Sequence, residues 1–123
     1  MEYEFRHSTF DGGYRAQFSM GHELVGRWLI DEIACSPIAV QQIITALMQA
    51  AEADQPWQRL GHEIDLHFEA GEVSLTAHHL HHEQELPEEV DNFYDAESYA
   101  LCGIEDFIEM MQSWLAFIER YSA

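Results

Sequence analysis

Apolar residues recur in this chain at two different periods, and the points where the period changes restrict it to a mixed α and β fold. Near the start, Tyr3, Phe5 and His7 alternate with Glu2, Glu4 and Arg6. After Asp11-Gly12-Gly13, Tyr14, Ala16, Phe18 and Met20 alternate with Arg15, Gln17 and Ser19. Successive side chains of a strand point to opposite faces, so this pattern predicts a hairpin with one wet face. The same period returns later, where Leu60, His62, Ile64, Leu66 and Phe68 alternate with Gly61, Glu63, Asp65, His67 and Glu69. Ala70-Gly71 then makes a turn, and Val73, Leu75 and Ala77 follow at period two. A two-residue turn pairs Phe68 with Val73, Leu66 with Leu75 and Ile64 with Ala77.

Between and after the hairpins the spacing becomes three and four. Val25, Trp28, Leu29, Glu32 and Ile33 predict a short helix. Ser36-Pro37 reads as an N-cap followed by proline in the first helical turn, where its missing N–H costs nothing. Val40, Ile43, Ile44, Leu47 and Ala51 are then one stripe of a helix reaching Asp54, and Pro56 closes it. Ile104, Phe107, Ile108, Met111, Leu115 and Ile118 mark a last helix from Gly103 to Arg120. Its first turn holds Glu105 and Asp106 and its last Arg120, as the helix dipole favours. The expected fold class is α+β, an antiparallel sheet of two hairpins with helices packed on one face, in the order β-β-α-α-β-β-α. The 123 residues, 47% hydrophobic and 12% aromatic, suffice for a single domain, residues 1–123, with one core.

Charge narrows the function classes. Asp and Glu total 23 against 5 basic residues, a net charge of −18, and every basic residue is an arginine. Such a surface repels phosphate, so direct nucleic-acid binding and adhesion to an anionic membrane are not expected. A basic protein partner is compatible with it, and so is a charge that serves solubility alone. Cys35 and Cys102 have no metal-site spacing, and the N-terminus lacks the basic start and apolar run of a signal peptide. The reading is a cytoplasmic protein with two free, buried thiols.

Several blocks together resemble the YacL family, small uncharacterised proteins of gammaproteobacteria. They are Tyr3-Glu4-Phe5, Ser19-Met20-Gly21-His22-Glu23 with Val25-Gly26 and Trp28, Trp57-Gln58-Arg59 with Gly61-His62-Glu63, Tyr94-Asp95 with Glu97-Ser98, and Leu101-Cys102-Gly103 with Glu105-Asp106-Phe107. The resemblance is colinear over nearly the whole chain. It implies a small cytoplasmic bacterial protein and carries over no catalytic or ligand residue.

Four groups of residues are candidates for chemistry. The run His78-His79-Leu80-His81-His82 follows the second hairpin, and extending the register places His62 opposite His79 and Glu63 opposite His78. His62, His79 and His81 then converge on one face, a donor set suited to Zn, Ni or Cu, with His22 as a further contributor. A solvated strand end with no fixed role competes with that reading, and the family pattern lacks the histidine run. The second group is Gly-His-Glu, at Gly21-His22-Glu23 and Gly61-His62-Glu63, read either as acid–base pairs or as strand ends whose polar residues cap their neighbours. The third is Trp57 and Arg59 with Glu63, a set of binding anchors, against core packing of the indole and an arginine ion pair. Trp28 is assigned to the core. Last, the acidic stretch Glu83–Glu97 is a solvated loop, a calcium site or a nucleic-acid mimic, and it lacks EF-hand spacing.

Cys102 is expected at a helix start, where the dipole lowers a thiol pKa and Glu105 and Asp106 oppose that effect, which favours a structural role. Phosphate loops, GxSxG and HExxH are absent. The leading expectation is therefore a binding or regulatory protein acting through a protein partner, with homo-oligomers allowed. The alternative is a transition-metal protein or small metalloenzyme using the histidines. Nucleic-acid mimicry is a third.

Overall fold

The structure is a computed structural model that describes residues 1–10, 12–33, 36–77 and 99–121. Strands β1 (Tyr3–His7) and β2 (Tyr14–Phe18) form a two-stranded antiparallel sheet in the register Tyr3↔Phe18, Phe5↔Ala16 and His7↔Tyr14. Helix α1 (Glu23–Trp28) runs into one π-helical turn, Leu29–Ile33. Then come α2 (Pro37–Ala53), β3 (Trp57–Arg59), β4 (Ile64–Glu69), β5 (Glu72–Ala77), β6 (Tyr99–Gly103) and α3 (Ile104–Tyr121). The last four strands form a second antiparallel sheet in the order β3-β4-β5-β6.

The α+β class and the predicted element order hold, and the register of the second hairpin is the one the turn requires. The structure adds β3 and β6 at the edges of that hairpin, and the two hairpins lie in separate sheets. The reason is in the packing. The β1–β2 hairpin turns its aromatic face onto α3: Phe5 meets Trp114 at 4.9 Å and Phe117 at 5.7 Å between ring centroids, and His7 stacks on Tyr121 at 4.6 Å. Its other side contact is α1, and Gly26 makes that approach possible. A Cβ there would lie 2.5 Å from the Ala16 carbonyl oxygen, closer than carbon tolerates.

One face of the four-stranded sheet supplies Ile64, Leu66, Phe68, Val73, Leu75, Ala77 and Ala100 to the core. Helices α1 and α3 cover it, and α2 packs on α3 and on β3. Trp28 is fully buried, as expected, with its ring 5.6 Å from that of Phe107. Its Nε1 and that of Trp114 find no acceptor among the described residues, so both indoles act as apolar bulk.

The α2 boundaries have local causes. Ser36 Oγ accepts the Ala39 N–H at 3.2 Å, with Pro37 beginning the helix. Asp54 takes the left-handed conformation at φ 56° and ends it, before Pro56. Among the described residues, no helix is long and apolar enough to cross a membrane.

Candidate functional site

Alternation along the four-stranded sheet fixes two faces with different fates. Trp57, Phe68, Val73 and Cys102 are successive cross-strand neighbours, and so are Arg59, Leu66, Leu75 and Ala100; both rows face the helices. The row between them, Gln58, His67, Ser74 and Leu101, faces away. Asp65 and Glu69 on β4, Glu72 and Thr76 on β5 and Tyr99 on β6 share that outward face.

This outward face is the candidate site. His67 and Glu69 line two adjoining shallow depressions. One, of about 500 Å³, is completed by Pro56, Trp57, Gln58 and Phe68. The other, of about 300 Å³, is completed by Ala70, Glu72, Ser74, Tyr99 and Leu101. Together they make a groove across the sheet, with Trp57 at one end and Tyr99 and Leu101, each 42% exposed, at the other. Glu69 and Glu72 are directly opposite in the register, an arrangement of like charges that costs stability. The described strand residues of this face include no Lys or Arg to relieve it. The corresponding pair on the first hairpin, Arg6 opposite Arg15, has Glu4 at 3.0 Å from Arg6.

Trp57 combines the two roles weighed from sequence. Its indole is half-buried against the core and also forms one wall of the groove. Arg59 and Glu63 are elsewhere. They belong to a charge network around Glu32, which projects from the π-helical turn. The Glu32 carboxylate accepts the N–H groups of His62 at 2.9 Å, Glu63 at 2.7 Å and Ile64 at 3.1 Å. Partial burial pushes its pKa up, but these three backbone donors and the Arg59 charge outweigh that and hold it below the ordinary value of 4.5. Asp65 Oδ1 takes the Gly61 N–H at 3.0 Å, and Arg27 bonds Glu63 at 3.1 Å and pairs with Asp31 at 3.6 Å. Gly61 is required here, since a Cβ would press on Glu32 Oε1 and the Ile64 carbonyl.

This clamp corrects the sequence reading of residues 60–63 as strand. β4 begins at Ile64, because Glu32 bends the chain at His62–Glu63. His62 therefore lies exposed before the strand, and the extrapolated pairings His62 with His79 and Glu63 with His78 do not start from strand geometry. His79, His81 and the acidic stretch 83–97 lie outside the described residues. Among the described residues, no group of three His, Cys, Asp or Glu side chains is placed to hold a metal ion.

The other Gly-His-Glu lies at the start of α1. Gly21, at φ 94°, donates its N–H to Glu23 Oε1 at 2.9 Å, and His22 Nε2 donates to the Leu101 carbonyl at 2.9 Å. His22 thereby ties the start of α1 to β6, while Glu32 ties the turn after α1 to β4. Cys102 lies in β6, not at the helix start expected from sequence, because residues 99–103 pair with β5 in the register Val73↔Cys102 and Leu75↔Ala100. Burial pushes its thiol up to about 11, with Asp106 adding to the effect against the N-terminal ammonium. It is a free, half-buried thiol that stays protonated at neutral pH, and Cys35 lies outside the described residues.

The comparison with protein families decides the chain's kinship. A family model described as an uncharacterised protein family, UPF0231, matches residues 1–118. The chain belongs to the UPF0231 family. YacL is another name for it, so the resemblance carried by the sequence blocks is confirmed. The UPF0231 protein of Aliivibrio salmonicida is 37% identical over 123 residues, 98% of this chain and 100% of that one. That of Vibrio campbellii is 42% identical over 120 residues, 96% and 98% of the two chains. That of Proteus mirabilis is 39% identical over 118 residues, 96% and 95%. No solved structure matches this chain significantly.

Within the UPF0231 chain, sequence reasoning missed Glu32 and the Tyr99–Leu101 end of the groove. Signals for both were present: a carboxylate in the apolar stripe Val25, Trp28, Leu29, Glu32, Ile33, and a short uncharged run, Tyr99-Ala100-Leu101-Cys102, before the last helix.

Proposed function

We propose that this protein is a binding or regulatory module that docks a basic segment of a protein partner on the outward face of its four-stranded sheet. One observation carries the reading: the groove joins Glu69 and Glu72 to the partly exposed side chains of Trp57, Tyr99 and Leu101, with no Lys or Arg among the described strand residues of that face. Aromatic and aliphatic anchors give such a contact affinity, and the carboxylates select a partner rich in Lys or Arg and speed its encounter. A cytoplasmic location suits this role.

The test is an NMR titration of the full chain with a synthetic peptide alternating Arg and Leu. The expected result is a set of shifts concentrated on β4, β5 and β6, with an affinity that falls with salt and drops about tenfold in the double variant Glu69→Lys, Glu72→Lys. Shifts spread evenly over all acidic surfaces, or unchanged in that variant, would show only nonspecific charge attraction and remove the proposal. The transition-metal alternative, Zn or Ni on His62, His79 and His81, keeps its sequence argument alone. Elemental analysis of protein purified without a metal resin tests it.

A further inference from the structure

Helix α2 differs from the rest of the surface. Its 17 residues include one charged side chain, Glu52, in a chain with 23 acidic and 5 basic residues. Its inward stripe, Val40, Ile43, Ile44, Leu47 and Ala50, is buried in the core. Outward, Ile38, Gln41, Gln42, Thr45, Ala46 and Gln49 line one continuous stretch of surface. Ile38 is 71% exposed, and Met48, beside the stripe, is 50% exposed. Among the described elements, each other helix and both sheets present several charged groups to solvent: Glu105, Glu109 and Glu119 on α3, Arg27 and Asp31 beside α1, Glu4 and Arg6 on the hairpin, Asp65, Glu69 and Glu72 on the outer sheet face.

A second copy is the partner this face fits. Two chains of charge −18 repel each other, and any contact through an acidic face adds local repulsion to that of the whole bodies. Among the described residues, the α2 stripe is a surface on which two copies approach without opposing carboxylates. The spacing of the six positions is symmetric, though the residues are not: about a two-fold axis, antiparallel helices set Ile38 against Gln49, Gln41 against Ala46 and Gln42 against Thr45. In that register the Gln42 amide meets the opposing Thr45 hydroxyl at two places related by the axis, and Thr45 and Ala46 are small enough for close approach of the helices. Glu52, one turn beyond Gln49, falls near the start of the opposing helix, where the dipole favours a carboxylate.

We infer that the outward face of α2 is a homodimer interface in which two copies pair antiparallel through Ile38, Gln41, Gln42, Thr45, Ala46 and Gln49. A helix of this length is about 25 Å long and about 10 Å wide. The contact is therefore smaller than the ~800 Å² per partner of a standard interface, and the dimer is a reversible one, with a dissociation constant of roughly micromolar or weaker.

Sedimentation velocity on the full chain over a range of concentrations tests this at two salt levels. Raising salt from about 0.01 M to about 1 M shortens the Debye length from about 30 Å to about 3 Å, and the dimer is expected to tighten because whole-body repulsion is screened. A contact with a basic partner weakens over the same range. Thr45→Glu sets like charges on both copies beside the axis and is expected to loosen the dimer at least about tenfold. Ile38→Ser, which adds no charge, weakens it less, and circular dichroism confirms that both variants fold. A chain that stays monomeric at every concentration and salt, or a dimer that Thr45→Glu leaves intact, overturns the inference.

Discussion

The outward faces of α2 and of the four-stranded sheet are backed by the same core, yet they are chemically opposite. On α2, six neighbouring outward positions hold no charge. On the sheet, β4 and β5 alone turn out Asp65, Glu69 and Glu72, two of them directly opposed. The contrast teaches that a net charge of −18 is not a uniform property of the surface. It repels copies of the chain and attracts cations where the carboxylates gather, so partner class is decided locally. The supports differ too. α2 is set by its own caps, Ser36 and Asp54, whereas β4 depends on Glu32, a residue from another element.

That difference in support gives the largest expected effect. Glu32→Ala removes three hydrogen bonds to a carboxylate and is expected to cost about 1–3 kcal/mol of stability. Hydrogen exchange should rise at residues 62–64 and stay unchanged in α2. Loss of protection in α2 alongside it would show that the two regions are one cooperative unit. Next comes the charge reversal of Glu69 and Glu72 to Lys, expected to weaken binding of the Arg-Leu peptide about tenfold, or about 1.4 kcal/mol, with dimerisation through α2 unaltered. A change in dimerisation would mean that the faces are not independent.

A third test uses pH. Glu32 titrates below 4.5 in the folded protein, so its carboxylate stabilises the fold above that value and the contribution is lost as pH falls through the lowered pKa. Glu32→Gln is therefore expected to lower the melting temperature at neutral pH, with the gap to the wild type narrowing as pH falls below 4.5. A gap independent of pH would assign the effect to packing. The smallest effect is Glu69→Gln, which relieves the repulsion with Glu72 and is expected to raise stability by about 0.2–1 kcal/mol while weakening peptide binding. A loss of stability there would show that the opposed carboxylates are relieved by a group beyond the described strands.

Trp57 illustrates how far the candidate site was readable. Its position after Pro56 marked a strand entry, and residue type made it an anchor; only the fold shows that one indole serves core and groove together. Arg59 and Glu63 were marked with it because they are near in sequence. Strand alternation turns Arg59 to the helix side, and the Glu32 bend hands Glu63 to Arg27. The two Gly-His-Glu segments make the same point: one ties the start of α1 to β6 through His22, and the other gives its backbone N–H groups to Glu32 of the π-helical turn.

By itself, the sequence determined the class of every long element, the register of the second hairpin, the Ser36 cap, the buried Trp28 and the family. Each of these depends on residues a few positions apart or on a periodic stripe, and such short-range regularities survive in one dimension. The tertiary structure alone decided that the hairpins separate into two sheets, that Tyr99–Gly103 joins the second one, and that Glu32 ends a strand about thirty residues away. Those outcomes depend on which surfaces meet, such as Gly26 admitting β2 or a carboxylate finding three free N–H groups, and no local pattern encodes a meeting of distant surfaces.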